Sequence, residues 1–161
     1  MRTKLLTGLL VFMLTSLAPA FAASAGTSPL MGNWAVDISR LPIPPEARPK
    51  SVNIVFRKSG KDSLTIMVDI VDGAGKLSHA TSTATLDGKP TEVSGGSEAD
   101  VAAAMMPTAN VLVLVLGKNG VGGSTRVYTL AADGKTMIET ATYYTQDGQP
   151  LFRTNYFTRS K

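Results

Sequence analysis

The side chains able to do chemistry in this chain are few and scattered. His79 is the single histidine, and the chain contains no cysteine. A metal centre or a nucleophile–base pair built on His79 would need partners, and no thiolate or second imidazole exists to supply them. Its neighbours on the same strand face, Leu77 and Thr81, make it an ordinary half-exposed strand residue. The carboxylates Asp69 and Asp72, or Glu92, Glu98 and Asp100, could pair in space. Most of them sit in or beside turns, where capping and solvation account for them. Glu139 is mid-strand, sharing a face with Met137, Ala141 and Tyr143. It is either a solvent-facing residue or an inward acid that holds a ligand's polar group, and the solvent-facing reading is favoured. No Gly-x-Ser-x-Gly elbow or phosphate loop is present. The glycine-rich run from Gly117 to Gly123 lacks the Lys-Ser/Thr ending and the following helix, and reads as a hairpin loop. No catalytic residues, no metal ligands and no cofactor are expected, so the sequence does not read as an enzyme.

The elements that would position any site begin after a leader. Arg2 and Lys4 form a basic start, Leu5 to Leu17 an apolar stretch of signal-peptide length, and Ala20-Phe21-Ala22 a small-x-small cleavage site. The expectation is a signal peptide over residues 1–22 and one domain over 23–161, placed in the periplasm or secreted. The apolar stretch is too short for a comfortable membrane span, so no membrane insertion is expected after cleavage. The formal charge of +4 includes Arg2 and Lys4, which leaves +2 on the domain. That excess is no nucleic-acid footprint.

Downstream the chain reads as short strands. Asn33 to Ser39 places Trp34, Val36 and Ile38 on one face, and the four prolines of the 41–49 segment make a stiff connection. Val52, Ile54 and Phe56 share a face. Leu64, Ile66, Val68 and Ile70 then alternate with Ser63, Thr65, Met67 and Asp69, the pattern of a half-buried strand. Lys76 to Leu86 is a threonine-rich strand, Asp87-Gly88-Lys89-Pro90 a turn, and Thr91 to Val93 a short strand. Over 97–106, alanine and methionine favour a helix by propensity. The surrounding rhythm and Pro107 argue for a strand followed by a turn, and that reading is preferred. Val111 to Leu116 is a buried central strand. Strands over Thr125 to Leu130, Thr136 to Thr145 and Leu151 to Thr158 complete the series. Asp-Gly pairs at 72, 87, 133 and 147 mark recurrent turns. The fold class expected is all-β, an antiparallel up-and-down barrel of about eight to nine strands, since closure removes exposed edges.

Gly32-Asn33-Trp34 at the start of the first strand resembles the Gly-x-Trp signature of lipocalins and fatty-acid-binding proteins. In such calycin barrels the tryptophan sits at the closed end under a basic residue from a late strand. The resemblance implies Arg159, or else Arg153, over Trp34, a contact of ~0.5–2 kcal/mol. The chain is also similar to small exported bacterial lipocalin-like proteins. These pair Gly-x-Trp and a Pro-rich loop with late hairpins of the type Asp133-Gly134-Lys135-Thr136-Met137 and Asp147-Gly148-Gln149-Pro150.

Two functions follow as expectations. The first is binding of a small apolar or amphipathic ligand inside the barrel, against Ile66, Val68, Ile70, Ala80 and Ala84, with Tyr144 and Tyr156 as aromatic candidates. Small residues on an inward face leave volume that large ones would fill. The second is a filled barrel that acts through its outside as a periplasmic interaction or envelope accessory module, without ligand or catalysis.

Overall fold

The computed structural model describes residues 28–145 and 147–161, so the expected signal peptide and its cleavage site lie outside the described residues. The strands are β1 (Gly32–Val36), β2 (Ser51–Lys58), β3 (Ser63–Val71), β4 (Leu77–Thr85), β5 (Asp87–Glu92) and β6 (Ser94–Gly95), followed by β7 (Val101–Thr108), β8 (Val111–Lys118), β9 (Val121–Leu130), β10 (Thr136–Tyr144) and β11 (Pro150–Ser160). They form a single 11-stranded sheet in the order β5-β7-β8-β9-β10-β11-β1-β2-β3-β4-β6. Every ladder is antiparallel.

The two edges of that order, β5 and β6, are consecutive in the chain and separated only by Val93. One short segment therefore pairs with β7 through its first half and with β4 through its second, where Ala80 faces Gly95 and Thr81 faces Ser94. A side chain stitches the remaining seam between β4 and β5, where Ser82 Oγ donates to the Glu92 carbonyl at 2.8 Å; Thr91 Oγ1 reinforces the β5–β7 ladder by donating to the Ala102 carbonyl at 3.1 Å. The result is a nearly closed up-and-down barrel. The count of eleven, rather than eight to nine, comes from this bent seam. The expected short strand at 91–93 extends back to Asp87, and a two-residue strand is added after it.

Strand positions follow period-two alternation, and strand ends follow turn chemistry. Asp72, Asp133 and Asp87 each accept backbone N–H groups just downstream, from Lys76, from Lys135 and Thr136, and from Lys89. Asp87-Gly88 does not break the chain as expected. It lies within β5, where the register against β7 shifts between Asp87 and Pro90, so the turn residues serve as an irregularity in an edge strand. β1 stops at Val36, two residues before the expected face ends. The Asp37 carboxylate caps a 3₁₀ turn over Ile38–Arg40 by accepting the Ser39 N–H at 3.1 Å.

The 97–106 segment holds no helix. After a loop, β7 pairs with both β5 and β8, and non-local ladders override the helical preference of its alanines. Pro107 is tolerated in β7 because it falls where the register shifts between Met105 and Thr108. The expected loop over 117–123 is largely strand. β8 and β9 run through it and are joined at Asn119-Gly120, whose φ values of 52° and 76° suit a two-residue hairpin turn.

The even-numbered residues of β2, β3, β4, β7, β8 and β9 and the odd-numbered residues of β10 and β11 point inward. Phe56, Tyr128 and Phe157 meet across the middle, with ring centroids 5.4 Å and 6.1 Å apart in edge-on geometry. They divide the interior into two ends.

Candidate functional site

The end bearing Trp34 is solid. Trp34 is fully buried, its indole N–H donates to the Leu30 carbonyl at 2.8 Å, and Leu64, Ala84, Leu112, Leu130 and Met137 belong to the same core. β1 pairs with β11 so that Trp34 faces Arg159, and the guanidinium carbon stands 4.2 Å from the indole centroid. The same guanidinium donates to the carbonyls of Gly134 at 3.0 Å, Met31 at 2.8 Å and Pro29 at 2.5 Å. It thereby ties together the chain entry, the β9–β10 turn and the last strand. Gly32 makes this possible. A Cβ there would sit 2.5 Å from Arg159 Nη1, and its φ of 135° is one that L side chains rarely adopt.

The opposite half holds a cavity of about 100 Å³. Ile66, Val68, Ile70 and Ala80 form one wall, and Ala102, Leu114 and Leu116 face them. Such a volume takes several waters or a compact small molecule, since one water needs roughly 10–15 Å³ by this kind of measure. The space exists because β4 and β7 present Ser78, Ala80, Ser82 and Ala102 where the solid end has Trp34 and Leu64. The loop after β6 covers it. Gly95 lies so close under the His79 carbonyl that a Cβ there would collide with it. Lys118 Nζ donates to the Ser97 carbonyl, and Asp100 accepts the Asn119 N–H at 2.8 Å.

A polar cluster borders this cavity. Arg126 lines it together with Tyr128 and Glu98. The Arg126 guanidinium pairs with Glu98 on the covering loop, lies 3.4 Å from Glu139 Oε1, and reaches Ser124 Oγ at 3.3 Å. Glu139 accepts from Asn155 Nδ2 at 2.5 Å. Two guanidiniums lie near Tyr143, Arg126 at 5.7 Å and Arg153 at 5.2 Å from its ring centroid. Burial opposes the charge on Arg126, but Tyr128, Glu98, Glu139 and Tyr143 around it more than offset that, and its pKa is raised. Burial, reinforced by the nearby Glu139 charge, pushes the Tyr128 phenol well above its ordinary value. Among the described residues, two buried side-chain atoms lack a hydrogen-bond partner, Glu139 Oε1 and Asn155 Oδ1.

Of the residues singled out from the sequence, Ile66, Val68, Ile70 and Ala80 line the cavity together. Ala84 does not. It lies four residues further along β4 than Ala80, opposite Leu64 in the solid core. Tyr144 is 65% exposed at the end of β10, and Tyr156 points outward with Arg40 stacked 3.2 Å over its ring. Neither tyrosine lines the cavity, because both occupy the outward parity of strands whose inward parity is fixed by Met137 and Phe157. Glu139 corrects the solvent-facing reading, since it is 2% exposed and inward. Its own neighbours carried that signal: Met137 and Ala141 on either side are core residues. Arg126 went unnoticed, although Ser124, Tyr128 and Leu130 share its face. His79 stays on the outside, paired to Asp69 at 2.6 Å with both side chains about half exposed.

A second space, a groove of about 380 Å³, lies near the Trp34 end between Met31, Leu64, Leu86, Met106, Lys58 and Lys61. It borders Ser28, the first described residue, and Ser63 and Thr108 also line it. Among the described residues no group of three His, Cys, Asp or Glu is placed to hold a metal ion, and no helix is long and apolar enough to cross a membrane.

No family model matches this chain. No curated protein matches it either. Among solved structures it is similar to EF1p2_mFAP2b bound to DFHBI at 11% identity and a TM-score of 0.46, over 82% of this chain and 94% of that one. A likeness at that score carries no argument about this protein.

Proposed function

We propose that this protein is an exported, lipocalin-like binding protein that holds a small apolar or amphipathic molecule in the half of its barrel opposite Trp34. The observation that carries the reading is the cavity walled by Ile66, Val68, Ile70 and Ala80, with Glu98, Arg126 and Tyr128 at its border. Apolar walls with a few convergent polar groups are the usual make-up of a small-molecule site. The ligand's apolar body packs on β3 and β4 and its polar end lies toward Arg126. The role is binding rather than catalysis. The ionisable groups bordering the cavity are engaged with one another, and His79 faces away from it. In this reading residues 1–22 are a signal peptide and the domain works in the periplasm or outside the cell. Native mass spectrometry of the protein from its own host, followed by titration with apolar probes, tests it. A retained small molecule or saturable one-to-one binding is expected. A bare mass with no saturable response would overturn it.

A second reading has one observation in its favour. Tyr144, Leu151 and Phe152 cluster on the β10–β11 hairpin, and Phe152 is 72% exposed. In that reading the barrel acts through this exposed tip on a protein partner. Crosslinking in the native envelope that captures nothing through this hairpin would count against it.

A further inference from the structure

One side of the cavity is covered by a segment that the sheet does not hold. The facing walls are ladder-bound strands: β3 pairs with β2 and β4, β7 with β5 and β8, and β8 with β7 and β9. The exception is the seam, where β4 meets β6 at two positions only, Ala80 with Gly95 and Thr81 with Ser94. Beyond Gly95 the chain crosses the cavity as Gly96, Ser97, Glu98 and Ala99, all four of which line it. None of these four makes a backbone-to-backbone hydrogen bond to the described residues. Such bonds resume at Asp100, which donates to the Gly117 carbonyl at 3.0 Å and accepts from the Val93 N–H at 2.9 Å.

Two side-chain contacts fasten residues 96–99 instead. Lys118 Nζ donates to the Ser97 carbonyl, and Glu98 pairs with Arg126. Both contacts reach solvent, since the Glu98 side chain is 53% exposed and Lys118 is only half-buried. Contacts of that kind are screened by salt and contribute little each. Ala99 is the one buried residue of the four, and lifting it exposes no more than a methyl group. At the seam end, Gly95 and Gly96 have φ values of 72° and 73°, so the backbone enters the segment through two residues free to turn. A stretch with few buried apolar contacts and no ladder bonds opens before the strands around it.

Resting on the cavity reading above, we propose that ligand enters and leaves sideways, through the seam between β4 and β7. Residues 96–99 lift to admit it, and Lys118 and the Glu98–Arg126 pair are the two latches. Passage through the strand walls breaks ladder hydrogen bonds, whereas passage here breaks two solvent-screened contacts. The Lys118 latch closes over an empty cavity and a filled one alike, so it sets the rate of exchange and not the affinity.

The test is ¹⁹F exchange NMR of the wild-type protein with fluorobenzene, an apolar probe compact enough for this space, which reads kon, koff and Kd together. Lys118→Met keeps the aliphatic stem and removes the charge. It is expected to raise kon and koff alike by about threefold, the worth of one screened charged contact, with Kd within about twofold of wild type. Adding Glu98→Gln is expected to bring both rates to about tenfold above wild type. Raising NaCl from about 50 mM to about 500 mM is expected to quicken exchange in wild type and to leave the double variant unchanged. Unchanged rates in a folded Lys118→Met protein overturn the portal and leave the cavity reading intact. So does a rise in koff alone with a matching rise in Kd, which would make Lys118 a support of the bound state. The wild-type salt series stands even if a variant fails to fold, and exchange indifferent to salt overturns the latches. Absence of saturable fluorobenzene binding to wild type overturns the cavity reading and the portal with it.

Discussion

The two ends of this barrel are built from the same strands and differ in side-chain size and polarity. At the Trp34 end, large side chains fill the interior and Arg159 straps the chain entry to the last strand. At the other end the same β3 and β4 meet residues such as Val93, Gly95 and Ala102, and a cavity with a charged border results. The contrast also explains why the polar groups lie where they do. Arg126 and Glu139 sit on the strands next to core positions, yet on the side of the Phe56–Tyr128–Phe157 layer that faces the cavity.

Substitutions at matched positions would break or sharpen that contrast. Trp34→Ala is expected to cost about 3–5 kcal/mol in denaturant unfolding, the range for truncating a buried aromatic. A loss under about 1 kcal/mol would mean that the Trp34 end is not the stabilising half. Gly32→Ala is expected to destabilise by roughly 2 kcal/mol, through both the positive φ and the collision with Arg159. The sharpest comparison uses one strand. Leu64 and Val68 share the inward face of β3, four residues apart, one in the solid end and one in the cavity wall. Leu64→Phe is expected to cost about 1–3 kcal/mol by overpacking. Val68→Phe fills empty space instead, and is expected to change stability by less than about 1 kcal/mol. Equal losses in thermal unfolding would show that the cavity half is as tightly packed as the other.

A smaller effect concerns pH. The Tyr128 phenol holds its proton more tightly in the folded state than in the unfolded chain, where its pKa is about 10. The stability this contributes is fully present below pH ~10 and is lost as pH rises above it toward the folded value. Stability should therefore decline above about pH 10, and Tyr128→Phe should flatten part of that decline in a pH series of unfolding curves. An identical alkaline limb in both proteins would remove Tyr128 as its source.

Much of the barrel was legible because alternation and Asp-Gly turns are local signals. Leu64 to Ile70 and the β10–β11 hairpin could be read from a few residues each. The seam could not. Whether Asp87-Gly88 ends a strand or lies within one depends on pairing with Met105, far along the chain. The 97–106 segment likewise became strand through its partners and not its propensity. Trp34, as a lone tryptophan after Gly32, was visible, while the three carbonyls that Arg159 gathers are set by tertiary packing. The cavity was half visible. Ile66, Val68, Ile70 and Ala80 follow from face and size, but Ala84 shares their face and is core, because alternation fixes which way a residue points and not how far along the barrel the interior is filled. Glu139 shows the converse. Its parity marked it as inward, and the general expectation that carboxylates face water outweighed that signal.

The measurement that bears most on the division into a filled and an open end is the affinity of 1-octanol for wild-type, Val68→Phe and Leu64→Phe proteins by calorimetry. The account predicts one-to-one binding to wild type, loss of at least about tenfold with Val68→Phe, and little change with Leu64→Phe wherever that variant remains folded. Binding that survives Val68→Phe, or that is lost only with Leu64→Phe, would contradict it and move the site to the Trp34 end.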